Sequence, residues 1–181
     1  MVIGVIPARI GSTRFPNKIL ADIDGKPMVA HVAERAQEAK KLDRVIIAID
    51  SEEANNALSD YKFDLVMTKP SHNSGTDRVA EVVRSVEDAE IIINIQGDEP
   101  LLDPSIIDGL IGLFDDPSVS MGTVVSRNIG VNDYLDRNIV KVFLDENQNA
   151  YDFKRDIYDS EIGGLFRHIG FYGFQRDLLF E

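Results

Sequence analysis

The sequence contains no cysteine and no tryptophan, and it is short of positive charge. Without cysteine the chain has neither a disulfide framework nor a thiol nucleophile. Its 19 lysines and arginines are outnumbered by 31 aspartates and glutamates, so the formal net charge is −12. A field of this sign repels nucleic-acid backbones and anionic membranes. We therefore expect neither a nucleic-acid polymer nor a membrane as a partner.

Long hydrophobic runs are also missing. No segment approaches the roughly 20 apolar residues that a membrane-spanning helix needs. The apolar run at residues 2–6 is too short for a signal peptide, and Pro7 interrupts it. We expect a cytoplasmic protein. A length of 181 residues, with 44% hydrophobic and 28% charged side chains, is typical of one globular domain with a substantial core.

Short apolar runs alternate with helical patterns over the first two thirds of the chain. The patterns predict strands at residues 2–6, 44–49, 64–67 and 90–95, and helices at 27–39, 52–59, 76–86 and 104–114. This alternation predicts an α/β fold, a Rossmann-like, mostly parallel sheet with helices on both faces.

The pattern changes in the last third of the sequence. Apolar runs at residues 119–125, 140–144, 150–153 and 166–174 follow one another without long helices between them. They predict an antiparallel extension. Because no linker composition separates the parts, we expect a single domain over residues 1–181, with a core at 1–118 and the extension at 119–181.

The loop after the first strand carries cations and small residues. Its cations are Arg9, Arg14 and Lys18. Gly11 and Ser12 let the backbone approach a ligand closely. In parallel sheets ligands bind outside the carboxyl ends of the strands, so the loop favours an anion site. Its single glycine excludes the P-loop and dinucleotide fingerprints by spacing. On the residues alone, an ordinary connection with solvated cations is the alternative.

Two further loops lie where predicted strands end. Asp98 follows the most hydrophobic strand, where a carboxylate is well placed to hold a divalent cation, and a polar turn is the alternative. Ser74 and Thr76 precede a helix, where helix capping alone would explain them and the same geometry binds anions. His168 lies beside an apolar strand, and a lone histidine there is ordinarily a satisfied core residue.

Four stretches together resemble one known family, the sugar-acid cytidylyltransferases. They are Ile6-Pro7-Ala8-Arg9-x-Gly11-Ser12-Thr13-Arg14-x-Pro16-x-Lys18, His72-x-Ser74-Gly75-Thr76-Asp77-Arg78, Asn94-x-Gln96-Gly97-Asp98-Glu99-Pro100 and Arg167-His168-x-Gly170-x-Tyr172. They are most similar to the branch that uses 3-deoxy-manno-octulosonate (Kdo). The resemblance implies the nucleotide-diphospho-sugar transferase type of sheet and transfer of CMP from CTP to a 3-deoxy-ulosonic acid. It also implies Mg²⁺ as cofactor, a role in lipopolysaccharide biosynthesis, and a homodimer where the full family domain is present.

The resemblance also assigns roles to individual residues. It implies catalytic roles for Arg9, Lys18 and Asp98, and Asp98 is the implied magnesium ligand. The implied nucleotide-binding residues are Pro7, Ala8, Arg9, Gly11, Ser12, Arg14, Lys18, Ser74, Gly75, Thr76 and Asp77. The implied sugar-acid-binding residues are Arg78, Gln96, Arg155, His168 and Tyr172.

The chain departs from the family pattern at two places. Lys154 replaces a family serine, and the residues after Arg155 replace a proline-containing turn. The chain ends at Glu181, before a family segment with a second metal-binding aspartate, so we expect the domain to be C-terminally incomplete. Two alternatives therefore stay open. One is a cytidylyltransferase for another sugar acid, sialic acid or an amino-modified Kdo, and the other is a homologue that binds CTP without turnover.

Overall fold

Residues 1–11, 17–157 and 164–180 are described by the structure, a computed structural model, and they divide into two units. The first unit comprises Met1–Gly122 and Phe171–Glu181, and the second comprises Thr123–Gly170. The predicted division at residues 118 and 119 within a single domain stays a prediction. No helix in the described ranges is long and apolar enough to cross a membrane.

The described helices and strands follow the predicted order closely. The strands are β1 Val2–Ala8, β2 Asp22–Ile23, β3 Lys26–Pro27, β4 Arg44–Ile49, β5 Asp64–Met67, β6 Ile91–Asn94, β7 Met121–Ser126, β8 Lys141–Leu144, β9 Ala150–Lys154 and β10 Leu165–Gln175. The helices are α1 Met28–Gln37, α2 Glu52–Leu58, α3 Gly75–Arg84, α4 Pro104–Gly112 and α5 Val131–Leu135. Short 3-10 turns lie at Lys18–Leu20, Leu113–Asp115 and Asp177–Phe180.

The first unit is built on a mostly parallel sheet. Strand β1 lies between β4 and β6 and is parallel to both, and β5 extends the sheet beyond β4 in the same direction. The end of β10 pairs antiparallel with β6 at the other side. The predicted α/β class with a mostly parallel sheet is confirmed.

Helices cover both faces of this sheet. Helix α3 packs through Val79 and Val83 on a face that includes Val5 and Ile92. The next residue in β6, Ile93, points to the opposite face. There the Phe114 ring, just after α4, lies over Gly173, where a β-carbon would be only 2.7 Å from the ring. Burial on both faces explains why these parallel strands are almost wholly apolar.

The second unit contains an antiparallel arrangement. Strands β8 and β9 form a hairpin, and the first part of β10 pairs with β8 on its other side. In the turn between β8 and β9, Asp145 accepts hydrogen bonds from the backbone N–H groups of Asn147 and Asn149 at 2.9 and 2.8 Å. The short helix α5 and the β2–β3 hairpin were not predicted.

Candidate active site

The carboxyl end of β1 is a meeting point for loops of the first unit. A β-carbon added to Gly75 would lie 3.2 Å from Pro7 Cγ, and one added to Gly97 would lie 3.3 Å from the Pro7 carbonyl oxygen. The loop before α3 and the loop after β6 therefore both pack against Pro7. Glycine at both positions permits this close approach, because it carries no Cβ. Ala8, the next residue of β1, is fully buried.

Lys18 and Asp98 are brought into direct contact at this edge of the sheet. Lys18 begins the 3-10 turn, and its Nζ donates a hydrogen bond to Asp98 Oδ2. Each side chain is 40% exposed, so a ligand in solvent reaches the pair. Neighbouring residues bring the Lys18 and Asp98 side chains together. Ile19, which follows Lys18, is buried, and a β-carbon added to Gly97, which precedes Asp98, would lie 3.8 Å from Ile19 Cγ2.

The other cations of the opening loop are partly described. Arg9 is exposed and makes no ion pair with any residue that the structure describes, so its charge is available to a ligand. Gly11, two residues further along the chain, is also exposed. Ser12 and Arg14 lie outside the described residues, and their predicted contacts with the nucleotide stay predictions.

The N-terminus of α3 is closed by a capping box. The Ser74 hydroxyl accepts from the Asp77 N–H at 3.0 Å, and the Asp77 carboxylate accepts from the Ser74 N–H at 3.0 Å. The N–H groups of Gly75 and Thr76 lie in the first turn, where the helix provides no acceptor for them, and they contribute to its positive end. The predicted helix start is confirmed, and Asp77 is occupied with capping it.

Asn94, at the end of β6, lies directly beneath this helix start. It is buried, and its Nδ2 donates to Thr76 Oγ1 at 3.5 Å. Its Oδ1 is buried without a hydrogen-bond partner among the described residues. Tyr172 of β10 is the cross-strand partner of Asn94, and burial raises the pKa of the Tyr172 hydroxyl. Gln96 follows on the same strand end and is half-buried.

Arg78 is directed into the first unit. Its guanidinium is almost completely buried, donates to Asp50 Oδ2 at 3.0 Å and also donates to the Thr68 hydroxyl. A contact between Arg78 and the sugar acid stays a prediction. Sequence reasoning did not select Asp50 or Thr68. Both directly follow the ends of β4 and β5, the positions where ligand sites form in such sheets.

The remaining predicted sugar-acid residues belong to the second unit. The His168 ring accepts or donates a hydrogen bond at 2.9 Å with the Thr123 hydroxyl and lies edge-on to Phe153. Burial lowers the pKa of His168 below its usual 6.5. Arg155 is exposed and donates to the Arg137 carbonyl oxygen at 2.9 Å. Their roles in binding stay predictions.

A metal ion at this edge would depend on Asp98. Within the described ranges there is no group of three or more histidine, aspartate or glutamate side chains that could hold a metal. Mg²⁺ is usually held by one or two carboxylates together with substrate phosphates and waters, rather than by a cage of protein ligands. An exposed carboxylate beside a lysine fits a divalent metal that is bound together with a triphosphate.

Comparison with known proteins agrees with the motifs. A family model described as cytidylyltransferase matches residues 3–179. The 3-deoxy-manno-octulosonate cytidylyltransferase of Solibacter usitatus is 47% identical, over 98% of this chain and 73% of its own. The enzyme of that name from Pelobacter propionicus is 43% identical, over 99% of this chain and 76% of its own.

Solved structures agree as well. The structure of CMP:2-keto-3-deoxy-manno-octonic acid synthetase complexed with CTP superposes with a TM-score of 0.91 at 37% identity, over 98% of this chain and 75% of that one. A cytidylyltransferase from Leptospira borgpetersenii, at 18% identity and a TM-score of 0.63, shares the fold. Family members of this kind commonly use a divalent metal. The chain therefore belongs to the cytidylyltransferase family and groups with its 3-deoxy-manno-octulosonate cytidylyltransferase members.

Proposed function

We propose that this protein is a nucleotidyltransferase that moves the CMP group of CTP onto the anomeric hydroxyl of 3-deoxy-D-manno-octulosonate, giving CMP-Kdo and pyrophosphate. The names of the relatives at 43% and 47% identity support this choice of substrates. The structural observation that carries the proposal is the Lys18–Asp98 contact at the edge where the loops meet on Pro7. The product would serve lipopolysaccharide biosynthesis in the cytoplasm.

The reaction needs charge neutralisation more than covalent chemistry. The anomeric hydroxyl oxygen forms a bond to the α-phosphorus and gives up its proton to solvent. The bond between the α-phosphorus and the oxygen that bridges to the β-phosphate breaks, and pyrophosphate leaves with that oxygen. Both substrates are anions and the protein carries a net charge of −12, so cations must be concentrated locally. Arg9, Lys18 and the first-turn N–H groups of α3 would orient the triphosphate and stabilise the charge that develops on it.

Asp98 is the residue that would hold the metal, which we take to be Mg²⁺. A bound Mg²⁺ supplies charge neutralisation at phosphate oxygens. Lys18 has a single ammonium group, which donates to Asp98 in this structure. When CTP binds, we expect Lys18 to turn from the carboxylate to a phosphate oxygen. A point charge on a flexible stem suits this change of partner.

Pyrophosphate release measured with CTP, Mg²⁺ and a panel of acceptors tests the proposal. The panel contains Kdo, an amino-modified Kdo and sialic acid, and ATP and UTP replace CTP in control reactions. We expect release that requires both CTP and Kdo. A matched variant, Asp60→Asn, removes an exposed carboxylate remote from the proposed ligands and should leave the rate unchanged.

Two other outcomes would each identify a rival function, and a third would contradict the proposal. Release only with sialic acid or amino-modified Kdo would show that the acceptor is a different sugar acid and that the reaction is still cytidylyl transfer. Binding of CTP in calorimetry without release for any acceptor would indicate a binding homologue. Absence of both CTP binding and release would contradict the proposal itself.

A further inference from the structure

We propose that the buried Asp50–Arg78 pair is a positioning device that holds Ile10 and Asn17, the described ends of the loop after β1, and thereby places Arg9 and Lys18. Under this assignment Arg78 acts on CTP binding through the loop and does not select the sugar acid. The inference rests on the proposed function, because it concerns how the same site holds its nucleotide. It assigns a positioning role to Asp50 and Thr68, which lie in none of the four motifs that resemble the family.

The Asp50–Arg78 pair is enclosed by the first unit. The Arg78 side chain is 2% exposed and that of Asp50 is 9% exposed. One Arg78 nitrogen donates to Asp50 Oδ2 at 3.0 Å and another donates to the Thr68 hydroxyl. That hydroxyl in turn donates to the Ile49 carbonyl oxygen at 2.7 Å. The guanidinium therefore joins the ends of β4 and β5 to the first turn of α3.

The second oxygen of Asp50 reaches the proposed phosphate loop. Asp50 Oδ1 accepts a hydrogen bond from the Ile10 N–H at 3.1 Å. The Ile10 carbonyl oxygen accepts from the Asn17 N–H at 3.3 Å. Ile10 is thus held from both sides, by Asp50 and by Asn17. The two ends of the loop meet at this residue.

The far end of the loop is fixed in the same region. Asn17 adopts a left-handed backbone conformation with φ of 56°, and its side chain donates to Glu53 Oε1 at 3.0 Å. Lys18 comes directly afterwards and contacts Asp98. A shift of the Ile10 anchor would therefore displace the backbone that places both Arg9 and Lys18. A misplacement of about 1 Å is enough to lower the efficiency of a positioned catalytic group strongly.

A purely stabilising role makes a different prediction. Buried ion pairs contribute little net stability, since desolvation offsets their attraction. A pair retained only for stability would act on the whole fold when it is broken, and would change substrate binding only through loss of folded protein. A positioning pair changes the KM for CTP in protein that is still folded.

The informative variants keep the volume of the side chains. In Asp50→Asn the amide has one acceptor oxygen, and the charged Arg78 takes it, so the amide N–H₂ faces the Ile10 N–H and the loop anchor is lost. Arg78→Lys keeps the charge, but a single ammonium does not reproduce the fork to Asp50 and Thr68. Asp64→Asn is the matched control, because it breaks the exposed Arg44–Asp64 pair at the opposite ends of β4 and β5.

The experiment measures KM and kcat separately for CTP and for Kdo, with calorimetric CTP affinity and melting temperature for each variant. We expect Asp50→Asn to raise the KM for CTP about tenfold or more, the size of a lost charge-assisted hydrogen bond, and to leave the KM for Kdo within about twofold. Arg78→Lys should shift the same constant in the same direction. Asp64→Asn should change neither constant.

An opposite pattern would overturn the proposal. If Arg78→Lys raises the KM for Kdo and leaves that for CTP unchanged, Arg78 contacts the sugar acid directly. Amide hydrogen exchange of the wild-type protein provides a test that needs neither a folded variant nor activity. The Ile10 amide should be protected from exchange and the exposed Gly11 amide should not. Equally fast exchange of both amides would contradict the hydrogen bond from Ile10 to Asp50 on which the proposal rests. Protection of Ile10 in a protein that neither binds nor turns over CTP would refute the proposed function and keep the Asp50 anchor.

Discussion

Asp98→Asn separates the chemical role of the candidate site from its structural role. The substitution keeps the shape of the side chain and removes the charge that pairs with Lys18. Both partners are 40% exposed, and exposed pairs of this kind contribute about 0.2–1 kcal/mol. We therefore expect the free energy of unfolding to fall by no more than about 1 kcal/mol, a shift of roughly 2–4 °C in Tm.

The effect on turnover should be much larger. Loss of a single charged or dipolar group that stabilises a transition state typically lowers kcat by about 10²–10³-fold. Binding of CTP without Mg²⁺ should move the other way, because a negative charge has left the edge that receives a triphosphate. One repulsion at about 4 Å in a water-like medium is worth about 1 kcal/mol, roughly a fivefold gain in affinity.

The assays are urea unfolding, pyrophosphate release over a range of Mg²⁺ concentrations, and calorimetry of CTP with and without Mg²⁺. Asp60→Asn serves as the control for loss of an exposed carboxylate. If the Asp98→Asn protein is unfolded, Asp98 has a structural role. A variant that keeps the wild-type dependence of rate on Mg²⁺ would remove Asp98 from the mechanism.

Three further predictions test individual features. Ser74→Ala removes the capping hydroxyl of α3 and should lower the free energy of unfolding in urea by about 1 kcal/mol, so an unchanged value would contradict the capping role. Gly97→Ala adds a β-carbon 3.3 Å from the Pro7 carbonyl oxygen and should raise the KM for CTP, whereas Gly109→Ala, with nothing within 4 Å, should not. Burial lowers the pKa of His168, so the folded state resists protonation of the ring. The contribution of His168 to the free energy of unfolding is therefore fully present above about pH 6.5 and is lost as the pH falls through the lowered pKa. An NMR titration midpoint for His168 above 6.5 would be the opposite result.

The parallel core was predictable because its signals are local. Strands β4 and β5 were predicted residue for residue, since each is a short apolar run with polar residues at both ends. The helix predicted at residues 52–59 corresponds to α2, which is capped by the Ser51 hydroxyl, and this hydroxyl accepts from the Ala54 N–H at 3.1 Å. The β2–β3 hairpin also carries a local signal in the sequence. Asp24 and Gly25 have φ angles of 53° and 81°, as the Asp-Gly pair of a tight hairpin favours.

The partners within the site were not predictable in the same way. The sequence places Lys18 and Asp98 eighty residues apart, and only the adjacency of β1 and β6 brings their loops together. Arg78 was interpreted as a sugar-acid ligand from a motif, and the motif carries no information on where its guanidinium points. Asp50, 28 residues away in the sequence, is the partner that lets this guanidinium be buried. Long-range pairing of this kind depends on the packed fold.

The most direct test of the central claim is a crystal structure with CTP and Mn²⁺, in which anomalous scattering locates the metal. The claim predicts a metal peak bonded to Asp98 and to a phosphate oxygen, with the Lys18 ammonium and the Arg9 guanidinium on the same triphosphate. A triphosphate bound away from the Pro7 edge, or a metal with no bond to Asp98, would contradict it.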